Sequence, residues 1–166
     1  MTFQRILIFC MLLFSPLLPA QAATAPINDA AALQGVKDGK GVFLIDFSDA
    51  KKTAFYLEII KGTHAGLTRQ GVKPSFVIVY IGPTVRFLTT APDGELELEQ
   101  GDALKAIADR VKELDQLGVR QEICAIATKV FKVPNETVLP GLTLVGDGFI
   151  SLIGWQTQGY KLVPLF

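Results

Sequence analysis

Five short strand-like runs, separated by segments with helical periodicity, constrain this chain more than any other feature. They are Val42–Phe47, Phe76–Ile81, Val119–Ile123, Leu142–Val145 and Tyr160–Val163. The first two have the compact, non-alternating character of strands buried on both faces. The first ends in Asp46-Phe47-Ser48 and the second is closed by Gly82-Pro83. Between them, Ala50–Leu67 reads as a long helix whose Phe55, Leu57, Ile59 and Ile60 leave little surface for solvent. Asp102 is placed to cap an amphipathic helix in which Leu104, Ile107, Val111 and Leu114 recur at helical spacing, and Gly118 ends it. A short helix follows Cys124 to about Phe131 and stops before Pro134. Asp147 caps a last helix carrying Phe149, Leu152, Ile153 and Trp155, with Gly159 just past its end. Strands alternating with helices at this spacing imply right-handed crossovers. The expected architecture is α/β, a three-layer sandwich around a mostly parallel sheet of about five strands.

Two other segments carry weaker patterns. Asn28 is positioned to cap a short helix through Asp38, with Leu33 and Val36 inward and Gly39 beyond its end. Ala91–Gly101 contains Pro92-Asp93-Gly94 and the alternating Glu95, Glu97 and Glu99, which predicts a turn and a solvated loop or edge.

The first 22 residues read as a secretory signal. Arg5 supplies the charged region, Ile6–Leu18 is an apolar run broken only by Ser15 and Pro16, and Ala20-Gln21-Ala22 is a small-x-small cleavage pattern. The run is shorter than the roughly 18 residues that span a bilayer. Ala23 is the expected first mature residue, and the expected location is periplasmic. Cys10 lacks the small residues that precede a lipoprotein cysteine and leaves with the signal. The remaining 144 of 166 residues suffice for one domain, 23–166, with one core. Residues 1–22 hold one of the 16 Lys/Arg and none of the 16 Asp/Glu, so the mature chain carries 15 cationic against 16 anionic side chains. Dispersed charge without a basic stripe argues against a nucleic acid or lipid surface as partner.

Elimination narrows the chemistry. The one histidine, His64, falls near the polar end of a long helix, so neither a Cys/His zinc site nor a Ser-His-Asp triad is readily assembled. No phosphate-cradling glycine motif is present, and no cofactor or metal is predicted. Glu95, Glu97 and Glu99 look like a solvated face, and Asp102, Asp109, Glu113 and Asp115 like the outer side of a helix. Asp46 ends a buried strand, where sites of open α/β sheets collect. The mature chain keeps a single cysteine, Cys124, where a strand passes into a helix. Its sulfur would lie near unpaired backbone N–H groups at the positive end of that helix, an arrangement that makes a nucleophile. Thr128 could add a hydroxyl and Lys129 a positive charge. Free cysteine is equally common as inert packing, and spacing alone does not separate the two.

Several stretches together resemble the DsrE/DsrF-like family of sulfur-relay proteins. They are Val119–Cys124, Leu139-Pro140-Gly141-Leu142-Thr143-Leu144-Val145, Gly148–Tyr160 with its Gln158-Gly159-Tyr160 end, and Val77–Leu88 with Gly82-Pro83 and Arg86-Phe87-Leu88. The match runs over roughly Val42–Pro164. The resemblance implies a YchN-like α/β fold, assembly as trimers or hexamers, and a cysteine at a strand-to-helix turn. In relay members that cysteine carries a persulfide and passes its sulfur to a partner's cysteine; Cys124 is the residue that matches it. Many relatives in this branch carry histidine just before the glycine that here is Gly82, whereas this chain has Ile81. The leading expectation is therefore an exported sulfur carrier or sulfurtransferase that forms a persulfide on Cys124, with thiol or persulfide proteins as donor and acceptor. The alternative is a non-catalytic oligomeric binding module that keeps the fold without the chemistry, and a weaker third is a homodimer stapled through Cys124.

Overall fold

The computed structural model describes residues 27–166. The signal sequence predicted over residues 1–22 and its cleavage before Ala23 lie outside the described residues. The element order is β1 (Asp38–Ile45), α1 (Ala50–Arg69), β2 (Lys73–Tyr80), α2 (Gly94–Gln116), β3 (Arg120–Cys124), α3 (Ala125–Val130), β4 (Thr143–Val145), α4 (Gly148–Thr157) and β5 (Lys161–Val163), with short 3-10 turns at Gly82–Phe87 and Asn135–Thr137. The five strands form one sheet in the order β4-β3-β2-β1-β5, and every pairing is parallel. The α/β sandwich expected from the apolar runs is the fold observed.

Side-chain alternation along the strands sorts the two faces. On β2 and β3, Tyr80 and Gln121 point toward α2: the Tyr80 hydroxyl donates to Gln121 Oε1 at 2.8 Å, and Gln121 Nε2 donates to the Val111 carbonyl at 2.8 Å. Complete burial pushes the Tyr80 phenol far above its ordinary range, so it stays a donor. On the other face, Val79, Ile81 and Cys124 meet the start of α4. Connections β1 to β4 all step in one direction, and the β4-to-β5 connection reverses it. With right-handed crossovers this reversal moves α4 to the opposite face, where it packs on β1, β2 and β3.

The α1–α2 layer rests on Leu57, Ile60, Ile107, Val111 and Leu114, all essentially inaccessible. Each such side chain contributes about 1.5–3 kcal/mol when removed from water. Along the rim, Lys61 and Arg110 pair with Glu58 and Glu113; these exposed contacts set helix register more than stability. The expectation that α1 leaves little surface for solvent is corrected: Phe55 is 60% and Ile59 46% exposed, because only the stripe through Ala50, Thr53, Leu57 and Ile60 meets the core.

Two segments differ from expectation. Asn28 does accept the Ala30 N–H at 3.0 Å, but residues 30–35 form turns rather than a helix. Gly35 adopts φ +76° and the chain enters β1 at Asp38, paired with Lys73, so no second turn can form. Conversely, the loop predicted over 91–101 is mostly helical. Asp93 Oδ1 accepts from the Glu95 and Leu96 N–H groups and starts α2, Glu95 and Glu97 sit favourably in its first turn, and Leu96 is buried. Gln100, at φ −132°, kinks α2 where the helix was expected to begin, near Asp102.

Candidate functional site

The site lies where the direction of connection reverses. The helix after β3 and the helix after β4 lie on opposite faces, which leaves a crevice at the carboxyl ends of these neighbouring strands, the usual place for sites in open α/β sheets. Cys124 ends β3 on one side of that crevice and Gly148 opens α4 on the other.

Cys124 is 5% exposed, and its Sγ accepts the Gly148 backbone N–H at 3.3 Å. The donor therefore comes from α4, ten residues long and capped by Asp147 through the Phe149 N–H at 2.8 Å. The sequence pointed instead to α3, the helix Cys124 itself begins. That helix has six residues and receives no side-chain cap hydrogen bond from Cys124. The correction follows from topology: the sulfur projects from the α4 face of β3, toward the first turn of α4. The approach requires glycine, since a Cβ on Gly148 would stand 2.6 Å from Ile81 Cγ2 and 3.3 Å from Cys124 Cβ.

A pocket of about 300 Å³ opens beside the sulfur, lined by Asp46, Ile81 and Gly82 from the ends of β1 and β2, by Ile126, Ala127, Val130 and Phe131 around α3, and by Asp147 and Phe149 at α4. Asp46 thus reaches the site its strand-end position suggested. The turn bearing it is fixed by Thr84, whose Oγ1 accepts the Phe47 N–H at 2.5 Å and donates to the Phe47 carbonyl at 2.9 Å. Gly82 passes close to the Asp46 carboxylate with φ +57°, a conformation and a spacing that both favour glycine. Ile81 lines the same pocket. Ile126, Val130 and Phe149 are 52%, 65% and 60% exposed, so the mouth is apolar.

Thr128 and Lys129 do not line this pocket. Thr128 is fully buried and donates to Asn135 Oδ1 at 2.7 Å and to the Ala125 carbonyl, which turns its hydroxyl to the next loop. His64 stacks edge-on against Phe76, in the amino-terminal half of β2 and away from the strand ends that form the pocket. Partial burial lowers its pKa. Among the described residues, no group of three or more His, Cys, Asp or Glu side chains is placed to hold a metal ion.

Sequence reasoning missed Glu122 beside the site. It is 2% exposed and faces α4, where it accepts from Arg120 Nε at 2.5 Å, from the Ser151 hydroxyl, and from Trp155 Nε1 at 3.1 Å. A carboxylate two residues before Cys124, and hence on the same strand face, was the available signal.

A parallel, helix-covered sheet with a single thiol at the reversal point defines a compact class of α/β proteins. Within that class the chain belongs to the DsrE/DsrF-like family, whose model matches residues 40–165. Two solved structures share the fold. The protein of unknown function MTH1491 from Methanobacterium thermoautotrophicum is 18% identical with a TM-score of 0.60, over 78% of this chain and 99% of its own. The ychN protein from E. coli is 12% identical with a TM-score of 0.52, over the same shares. No curated protein matches the chain significantly.

Proposed function

We propose that this protein is an exported sulfur carrier acting through Cys124. The observation that carries the reading is the Gly148 N–H directed at Cys124 Sγ, at the wall of a pocket in the reversal crevice. Membership of the DsrE/DsrF-like family makes a sulfur-relay role the natural chemistry for that thiol. The Cys124 thiolate attacks the outer sulfur of a donor persulfide, the donor's S–S bond breaks, and the donor leaves as a thiolate while Cys124 holds a persulfide. An acceptor thiolate then attacks the outer sulfur, and Cys124 is released as a thiolate. No net oxidation occurs, and the Gly148 N–H is a donor for the negative charge on the sulfur at both ends of the cycle. The apolar mouth suits a partner protein that presents its own cysteine.

The test is mass analysis of the Cys124 peptide after treatment with a persulfide donor. Uptake of sulfur at Cys124, abolished in a folded Cys124→Ser variant, supports the carrier. No uptake by the native protein defeats it. A second reading has its own observation: Cys124 is only 5% exposed. If it alkylates only after denaturation, the protein is a binding module that keeps the fold without the chemistry.

A further inference from the structure

We propose that Glu122 is a positioning residue for Cys124, acting through α4. The proposal rests on the reading of Cys124 as the functional thiol. Glu122 and Cys124 are two residues apart on β3 and share the face turned toward α4. Ser151 and Trp155 are four residues apart on α4 and therefore share the helix face turned toward β3. The helix runs back along the strand, so the contacts pair in order: Gly148 with Cys124 at the strand end, then Ser151 and Trp155 with Glu122 one step inward. Arg120 completes the row. Its guanidinium bonds Glu122 Oε1 and lies 5.5 Å from the centre of the Trp155 ring.

A buried carboxylate is a costly way to hold a helix to a sheet, since apolar residues of similar volume pack there at least as well. What it adds is direction. Glu122 Oε2 accepts two hydrogen bonds from successive turns of α4, which fixes both the rotation of the helix and its position along the strand. An apolar contact is non-directional and would let the helix slide. Gly148 lies one turn before Ser151, so the fixed quantity includes the distance from the Gly148 N–H to Cys124 Sγ. The absence of a side chain at Gly148 permits the close approach, since a Cβ there would meet Ile81 and Cys124. Glu122 supplies the restraint that prevents withdrawal.

The experiment measures the rate of Cys124 alkylation against pH in the folded protein, with no sulfur donor present. Its outcome is therefore independent of whether the unaltered protein takes up sulfur. The charged and titratable groups nearest the sulfur are Asp46 and Asp147, which line its pocket, and Glu122, one step inward on β3 with Arg120 bonded to it. The paired substitutions Ser151→Ala and Trp155→Phe leave all of them in place and remove the two donors, the phenylalanine also trimming the ring that lies by Arg120 and Tyr160. The midpoint of the profile should move to higher pH, with the rate near neutrality falling about fivefold, as expected for losing one well-placed hydrogen bond. The high-pH plateau should not fall, because a loosened helix admits reagent at least as well. Glu122→Gln and Glu122→Ala both remove the carboxylate, and the alanine also removes the side chain's bulk from a buried position. The glutamine variant keeps an acceptor for Ser151 and Trp155, and its midpoint should lie below that of the alanine variant. If Glu122→Ala does not fold, the Ser151/Trp155 pair carries the test. Profiles that differ only in plateau, with unmoved midpoints in natively folded variants, would make Glu122 a structural residue and overturn the proposal.

Discussion

Gly148 has no room for a side chain, and that makes it a sensitive position beside the thiol. Its would-be Cβ meets Ile81 Cγ2, a methyl attached directly to a β-carbon, which cannot move away without rotating the whole side chain. Gly148→Ala should therefore cost about 1–3 kcal/mol in denaturant unfolding, the usual range for overpacking a core. It should also slow native-state alkylation at neutral pH by withdrawing the N–H from Cys124. A variant with unchanged unfolding midpoint and unchanged reactivity would show that the close approach is not maintained in solution. Cys124 was legible in the sequence because it stands where a strand passes into a helix and is the single cysteine after residue 22. Gly148 was not, because the contact joins residues 24 apart whose meeting depends on α4 crossing to the other face. Glu122 was hidden for the same reason, since its partners lie 29 and 33 residues downstream. Thr128 misled because helical spacing places it one turn from Cys124 but does not reveal that Asn135 claims its hydroxyl.

At the level of elements, the α1–α2 rim has a definite pH signature. Hydrogen bonds from Lys61 and then Arg110 hold the Glu113 carboxyl below its ordinary range. A depressed folded-state pKa contributes stability that is present above the unfolded value and lost as pH falls through the folded one. The raised values of Lys61 and Arg110 act only in strongly alkaline solution. His64, lowered by burial, adds a loss that begins as pH falls below its ordinary 6.5. The melting temperature should thus decline as pH falls below 6.5 and further as it falls below about 4.5. The acid part should be modest because the ion pairs are exposed, and shallower in Glu113→Gln, so that the two curves converge in acid. Parallel curves would mean that the rim carries no pH-dependent stability. The long helices and buried strands were legible here because their apolar spacing reports one environment along their length. The segment at 91–101 was not, because Pro92-Asp93-Gly94 serves equally as a turn or as a helix start. Leu96, which anchors the helical choice, alternates with Leu98 among three glutamates, and Leu98 is exposed.

For the molecule as a whole, the strand order leaves β4 and β5 as edges among the described residues, and α4 packs across β1, β2 and β3 on one face of the sheet. Phe149, Ile150 and Ile153 on that helix are 60%, 69% and 65% exposed, and every residue of β5 is exposed. An apolar face and open edges of this kind call for cover by another chain. We therefore propose that the protein assembles with copies of itself, as the trimer or dimer of trimers that the family resemblance implies, and, from the pattern of residues 1–22, that the mature chain begins at Ala23. Terminal sequencing and light scattering on protein from the exported fraction check both parts; an intact Met1 or a monomer mass at micromolar concentration would count against them. Parallel topology was legible from the order of strands and helices, whereas the reversal that creates the crevice was not, because β4 and β5 are three-residue strands with no strong pattern. The central claim is that the thiol in that crevice carries sulfur. It is tested most directly by mass spectrometry of native protein purified without reductant and exposed to a persulfide donor. The account predicts one added sulfur atom on the peptide containing Cys124, removed by reductant and absent from Cys124→Ser. A Cys124 peptide of unmodified mass, with a thiol that reacts only after unfolding, would contradict it.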